Sequence, residues 1–294
     1  MRSSIIIVNE KANWGSGRHK VRQMMVFLDK QGLPSSVLTT QYPGHARELA
    51  AGAAQGIDTV IVIGGDGTVN EVVNGLLTSN QDNRPCLGII PAGSSNDFSK
   101  SLGIPQHLQG ACEVIVKGRV REVDVGRAGS HYFCSASCLG YFAEVAARSL
   151  EMKRLRGSLR YVVPALGVIR KMTEGWEMTV KADDRVFHGE YAVLLVGNAP
   201  RFGGLTMLPG ARPDDGALDC LLIEMASKWE ALHLIPLLYR KALERHQKVT
   251  RFRAATLSVT LHRPSQVCND GEMAASPVQS IDYRVLSRGI RVLC

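Results

Sequence analysis

The chain lacks the marks of several protein classes. Its 7 cysteines form no C-x-x-C pair, and neither they nor the 8 histidines have the spacing of a zinc site. A disulfide framework and a zinc module are therefore excluded, and an odd number of thiols reads as reduced cysteine in a cytoplasmic chain. No charged-then-apolar leader opens the sequence, since Ile5-Ile6-Ile7-Val8 is too short for one. The longest apolar stretch, Tyr161 to Ile169, holds Pro164 and Gly167 and falls short of the ~30 Å of a bilayer core. Aromatic residues are only 6% of the chain, and no nucleic-acid-binding motif accompanies the basic residues. No nucleic acid is expected as a partner. Internal repeats and low-complexity segments are also missing.

What is present is ample core. Hydrophobic residues make up 45% of the 294 residues and charged residues 21%, which excludes a disordered or fibrous protein and suits one large domain or two ordinary ones. Lys and Arg number 35 against 27 acids, a net charge of +8, and such a balance favours a polyanionic partner. Residues 1–128 carry 13 basic and 11 acidic side chains, whereas 129–294 carry 22 and 16. The positive surface belongs mainly to the second half.

Strand and helix alternate over the first 126 residues. Ile5–Val8, Val37–Thr39, Thr59–Ile63, Leu87–Ile90 and Val120–Val125 read as strands. Between them, Gly17–Gln31, Ala46–Ala54, Val69–Leu77 and Leu108–Val116 show helical spacing. The continuous apolar runs predict a parallel sheet covered on both faces, whose ligands sit beyond the carboxyl ends of its strands. After Arg127 the pattern changes. His131–Ser137, Glu177–Lys181, Tyr191–Val196, Ala217–Ile223, Ala255–Leu261 and Gln266–Cys268 predict strands, interrupted by helical stretches over Phe142–Ile169 and Trp229–Arg245. The second of these opens on Ser227-x-x-Glu230, a capping-box spacing. The reading is an α/β domain over 1–128 with a parallel sheet, then a β-rich antiparallel sandwich over 129–294. Whether the last strand, Ile290–Leu293, returns to the first domain is left open.

Two loops carry the chemistry. Gly64-Gly65-Asp66-Gly67-Thr68 lies between a buried strand and a helix. Glycines there let the backbone approach a ligand, and the helix start offers unpaired N–H groups, an arrangement that cradles phosphates. Pro91-Ala92-Gly93-Ser94-Ser95-Asn96-Asp97-Phe98 repeats the design after the next strand. By itself the second loop reads equally as a helix cap. Asp214-Asp215-Gly216 reads as a plain turn, and Asp270-Gly271-Glu272 as a hairpin tip.

Together these residues resemble the diacylglycerol kinase catalytic-domain family, and within it the bacterial soluble lipid kinases. The family's G-G-D-G-T is intact at Gly64 to Thr68, followed by its N-E as Asn70-Glu71, and its P-x-G-T-x-N-D-F matches Pro91 to Phe98 with Ser94 in the threonine place. Phe202-Gly203-Gly204, Asp214-Asp215-Gly216-x-Leu218 and Asp270-Gly271-Glu272 match later segments in order. The implied fold is a NAD-kinase-like nucleotide domain followed by a β-rich domain, and the implied activity is ATP- and Mg²⁺-dependent phosphorylation of a lipid hydroxyl in phospholipid metabolism. ATP would lie on Gly64, Gly65, Asp66, Gly67, Thr68, Val69, Asn70 and Glu71, with Thr40, Ser94 and Asn96 as further contacts. Asp66, Asp97 and Asp124 resemble the acidic cluster around the active-site magnesium. Asp215, with the carbonyls of Arg212 and Ala217, resembles a structural magnesium site. Glu272 matches the proton acceptor, with Asp270 orienting it, and Asp66 completes the implied catalytic set.

The first loop departs from the family's N-P-x-S-G, standing as Asn9-Glu10-Lys11-Ala12-Asn13. Glu10 would place negative charge near phosphates unless Lys11 or Arg18 offsets it. Gly140-Tyr141-Phe142-Ala143-Glu144 lacks the aspartate that usually follows the glycine and aromatic. Two basic stretches remain: Arg148, Lys153, Arg154, Arg156 and Arg160, then Arg240, Lys241, Arg245, Lys248, Arg251 and Arg253 closing the second helix. With a lipid substrate, both suit an anionic membrane surface. The expectation is a cytoplasmic, peripherally membrane-associated kinase, with a homodimer left open. The rivals are a kinase of a soluble acceptor such as NAD and a catalytically silent membrane-binding module.

Overall fold

The computed structural model describes residues 3–10, 16–31, 35–53, 56–78, 84–152 and 159–294. Two units emerge. The first joins Met1–Asp124 to Arg288–Cys294, and the second is Val125–Ser287. The division falls a few residues before the expected border at 128/129, and the end of the last strand belongs to the first unit.

In the first unit, apolar runs with no polar alternation become strands buried on both faces. β1 (Ser4–Val8) lies between β2 (Ser35–Thr39) and β3 (Thr59–Gly64), and β3 pairs with β4 (Cys86–Pro91), all parallel. Every residue of β3 is buried. The helices between these strands are α1 (Ser16–Lys30), α2 (His45–Ala53) and α3 (Asp66–Thr78). After β4 come a short helix, α4 (Asp97–Ser101), and α5 (Leu108–Lys117), which Gly118 ends in the left-handed region. Right-handed βαβ connections of this kind leave the β3–α3 and β4–α4 loops beside each other at the carboxyl edge. That edge is where both glycine motifs sit.

β5 (Val120–Ala128) carries the chain into the second unit, where it forms a hairpin with β6 (His131–Phe133). β7 (Ala136–Gly140) leads into α6 (Tyr141–Glu151) and α7 (Leu159–Lys171). The strands β8 (Trp176–Ala182), β9 (Arg185–Gly197), β10 (Arg201–Phe202), β11 (Leu205–Thr206) and β12 (Leu218–Glu224) follow. Next are α8 (Lys228–Tyr239), β13 (Val249–Ala254), β14 (Thr256–Ser265), β15 (Val267–Asn269), β16 (Glu272–Met273) and β17 (Val278–Leu293). The pairing is antiparallel throughout this unit: β9 lies between β7 and β8, β12 pairs with β9 and β13, and β14 lies between β8 and β17. Its core gathers Phe133, Leu139, Met178, Leu194, Leu222 and Tyr283, all essentially inaccessible.

Several expectations need correction. The helical stretch Phe142–Ile169 is divided into α6 and α7, and 153–158, with Lys153, Arg154 and Arg156, lie outside the described residues. The stretch Trp229–Arg245 ends as an α-helix at Tyr239. Lys241 turns left-handed (φ 55°), its N–H donates to Leu238 O (3.1 Å), and Ala242 N–H donates to Leu237 O (2.9 Å). This ending satisfies the last carbonyls and stops the helix. Lys248, Arg251 and Arg253 therefore do not close a helix; the two arginines stand on β13, which sequence periodicity missed. His131–Ser137 is two strands, and β17 begins well before Ile290.

Candidate functional site

The two glycine loops of the first unit touch through their backbones. Ala92 N–H donates to Gly64 O (2.8 Å), and a Cβ on Gly65 would stand 2.9 Å from Gly93 Cα. No side chain fits between them, which is why glycine stands at both positions. Asn96 shapes the second loop: its Oδ1 accepts from Gly93 N–H (2.8 Å), its Nδ2 donates to Gly93 O (3.1 Å), and its own backbone is left-handed (φ 51°). That conformation is tolerable for asparagine. Ser94 sits inside this closed loop. On the first loop, Thr68 Oγ1 accepts from Asn9 Nδ2 (3.2 Å), so the loop after β1 is tied to the start of α3. The first-turn N–H groups of α3 have no acceptor within the helix and meet the loop where Gly65, Asp66 and Gly67 are half-exposed.

Several of the remaining motif residues have architectural partners. Glu71 holds the N-terminus of α2, accepting from Gly44 N–H (2.9 Å) and Ala46 N–H (3.0 Å). Through it the glycine motif positions the segment after Thr40, whose own N–H donates to Val8 O (2.9 Å). Asn70 is buried and accepts from Asn74 Nδ2 through both its side-chain oxygen (3.1 Å) and its backbone oxygen (2.9 Å). Val69 is buried in α3. The sequence motif thus mixes loop residues open to a ligand with residues that fix the loop.

Asp66, Asp97 and Asp124 are the carboxylates of this unit that the resemblance assigns to a metal. Asp66 Oδ1 accepts from Phe98 N–H (3.2 Å), linking the first loop to α4. Asp97 is buried, and Asp124, also buried, accepts from the N–H of Arg288 (2.7 Å) at a left-handed turn in β17. Among the described residues no group of three or more His, Cys, Asp and Glu side chains could hold a metal ion. Asp66, half-exposed on the first loop, suits a magnesium ion that draws the rest of its shell from nucleotide phosphates, since such ions take one or two carboxylates from the protein; among the described residues the three carboxylates are not gathered into one site.

In the second unit, Asp270-Gly271 is the two-residue tip of the β15–β16 hairpin, with Asn269 opposite Glu272 and left-handed φ at both tip residues (50° and 91°). Positive φ at both central positions defines a type I′ turn. Asp270 points back into the fold: its carboxylate accepts from the N–H groups of Cys134 (2.6 Å), Ser135 (2.8 Å) and Ala136 (3.0 Å), and its own N–H donates to Ala136 O (2.9 Å). Asp270 is thus the anchor of the hairpin, and Glu272, which the resemblance makes the proton acceptor, is exposed beside it. α6 packs against β15 and β16 and carries Glu144, whose carboxyl is pushed up by burial against the opposing pull of Arg148. The motif reading quoted this residue but gave it no role; its signal is an acid at the fourth position after the β7–α6 glycine.

Asp215 has both oxygens engaged. Oδ1 accepts from Ala217 N–H (3.3 Å) and Oδ2 pairs with the Arg253 guanidinium. Arg253 Nε also faces Asp219 Oδ2 (3.7 Å), and Arg251 bridges Asp219 (2.8 Å) and Glu244. A protein cation fills the place that the resemblance gives to a magnesium ion held by Asp215, Arg212 and Ala217. The donor set as arranged does not fit a metal. The same pairing removes Arg251 and Arg253 from the unbalanced basic surface.

Residues 3–128 match the family model of the diacylglycerol kinase catalytic domain, and 135–294 match that of the YegS C-terminal NAD kinase beta sandwich-like domain. A diacylglycerol kinase of Staphylococcus saprophyticus is 32% identical over 270 residues, which cover 91% of this chain and 88% of that one. The chain belongs to the diacylglycerol kinase family. A Staphylococcus aureus diacylglycerol kinase is 30% identical over 91% of this chain and 85% of its own length. The crystal structure of a diacylglycerol kinase from Bacillus anthracis superposes with a TM-score of 0.78 at 24% identity, covering 99% of this chain and 96% of the other. A second structure from the same organism reaches 0.83 at 27% identity, with the same coverage. The chain is accordingly a kinase-family protein with a parallel α/β part followed by an antiparallel β-rich part. Among the described residues no helix is long and apolar enough to cross a membrane.

Proposed function

We propose that the protein transfers the γ-phosphoryl group of ATP to the hydroxyl of a membrane lipid, a diacylglycerol or a related glycerolipid. The observation that carries this reading is the backbone contact of the two glycine loops at the carboxyl edge of a parallel sheet, a cradle that a Cβ at Gly65 would fill. Backbone N–H groups of Gly65 to Thr68 bind the phosphates, Ser94 and Thr40 add contacts, and Asn9 holds Thr68 in place. Asp66 would hold a magnesium ion, with Asp97 and Asp124 on the same acidic side of the site, and the ion would offset charge on the transferred group. Glu272 takes the proton of the acceptor hydroxyl, and Asp270 holds the hairpin that presents it. Catalysis in this reading is positioning and charge neutralisation, as phosphoryl transfer requires. The protein meets its substrate by reversible attachment to an anionic membrane surface.

The test is a transfer assay with γ-labelled ATP and magnesium, offered diacylglycerol, phosphatidylglycerol and a sphingoid base in mixed micelles, with NAD as a control. Label in a glycerolipid is the expected result. Label in NAD alone, or in no acceptor, would overturn the reading.

A further inference from the structure

α8, with the sequence KWEALHLIPLLY, lays Ala231, Leu234, Leu237 and Leu238 half-buried against the core of the second unit, and none of its residues is fully buried. A helix of that composition is ordinarily covered on every side by protein or by lipid. Its outward stripe is Trp229, His233 and Pro236, and Trp229 is 76% exposed. The neighbouring α7 has the same anomaly. Pro164 and Val168 face inward, while Leu159, Val163 and Leu166 form an outward apolar stripe at helical spacing, 40–56% exposed. The two helices pack on each other, and Lys228 Nζ at the start of α8 donates to Arg170 O at the end of α7 (2.8 Å). Of the ten large apolar side chains most exposed among the described residues, five lie on this pair.

The fringe of the pair is cationic. Arg170 and Lys171 end α7, Lys228 begins α8, and Arg240 and Lys241 follow it, all exposed. The acid in α8, Glu230, is committed to the Ser227 cap and Lys248, and the nearby Glu244 to Arg251. A second copy of the chain would bring the same cations against themselves across a two-fold axis, which is unfavourable. An anionic bilayer satisfies both features, because it takes apolar side chains below its headgroups and cations among them. Tryptophan favours that boundary through its apolar body and polar N–H.

We infer that the α7–α8 pair is the element that docks this protein on an anionic lipid bilayer, with Trp229, Leu159, Val163 and Leu166 entering the headgroup–acyl boundary. The inference rests on the reading of the substrate as a membrane lipid, and its test does not use the transfer reaction. Trp229 is itself the probe, because Trp176 is buried and a Trp14→Phe background removes the remaining tryptophan. The full-length chain is mixed with vesicles of phosphatidylcholine alone, or of phosphatidylcholine and phosphatidylglycerol in equal parts, with bromine on the acyl chains.

Quenching and a blue shift of Trp229 with the anionic vesicles, weakened by salt, are expected. In cosedimentation, Trp229→Glu and the double variant Val163→Glu/Leu166→Glu should each lower the bound fraction about tenfold or more while keeping the wild-type circular dichroism. Absence of quenching, or equal cosedimentation of wild type and variants, overturns the inference. A wild-type dimer in sedimentation that Trp229→Glu splits, without vesicle binding, makes the occupant a second copy and also overturns it. Transfer to a short-chain diacylglycerol dispersed in solution reports separately on the lipid-kinase reading: it should be equal in wild type and Trp229→Glu.

Discussion

Gly65 and Gly93 stand back to back at the carboxyl edge of the parallel sheet, so close that a Cβ on Gly65 would come within 2.9 Å of Gly93 Cα. Backbone atoms cannot yield as a side-chain tip can, so Gly65→Ala must push the two loops apart. Overpacking of this kind costs about 1–3 kcal/mol, and under the proposed function the displaced atoms are the ones that would bind phosphate. Urea denaturation should show a loss in that range, with nucleotide affinity reduced at least about tenfold. An alanine variant with wild-type affinity would show that the loops can move apart without consequence.

Asp66 has two duties that substitution can separate. Its Oδ1 accepts from Phe98 N–H (3.2 Å), joining the two loops, and under the proposed function its charge would hold magnesium. Asp66→Asn keeps an acceptor for Phe98 and removes the charge; Asp66→Ala removes both. The asparagine variant should unfold at nearly the wild-type temperature with phosphoryl transfer at least about a hundredfold lower, a loss typical of removing a charge-stabilising group. The alanine variant should lose stability as well, by about 1 kcal/mol for the missing bond. Transfer retained within threefold in the asparagine variant would defeat the assignment.

Asp270 and Glu272 should part in the same way, one in stability and one in turnover. Asp270→Ala leaves the buried N–H groups of Cys134, Ser135 and Ala136 without their acceptor and puts alanine at a φ of 50°. A cost of several kcal/mol is expected, from about 1–3 kcal/mol for each unmet donor. Glu272→Gln, on the exposed strand beside it, should leave the melting temperature unchanged and lower turnover by about 10²–10⁴, with ATP affinity intact. A stable Asp270→Ala protein, or full turnover in Glu272→Gln, would reverse these roles.

The parallel sheet was legible because Ile5–Val8 and Thr59–Ile63 are unbroken apolar runs, and such runs have few other uses in a chain of this composition. The glycine loops were legible for a similar reason: three glycines around one acid serve few purposes besides close approach. The division of labour inside the motifs was not. Glu71 and Asn70 look like ligand residues by position, yet Glu71 is turned onto Gly44 and Ala46 by how α2 lies against α3, and Asn70 onto Asn74 one turn along its own helix. β13 was hidden because it is short and its outward Arg251 and Arg253 read as part of the basic run that follows α8, while their partners, Asp219 and Asp215, lie more than thirty residues away. Local pattern cannot show a charge that is neutralised at long range.

Glu230 supplies a pH dependence confined to α8. Hydrogen bonding with the backbone and side chain of Ser227, helped by Lys248, lowers its carboxyl to about 2 from the usual 4.5. A carboxylate whose folded value is depressed adds stability that is fully present above the unfolded value and is lost as pH falls through the folded one. The window therefore runs from about 4.5 down to about 2. Other acids titrate over the same range, so the informative quantity is the difference between wild type and Glu230→Gln, which keeps the capping geometry and loses the charge. Thermal unfolding followed by Trp229 emission, the residue next to Glu230, should show the wild type melting higher at pH 5, with the gap closing steadily toward pH 2. A gap of constant size across that range would mean that the ionised form of Glu230 contributes nothing to holding the start of α8.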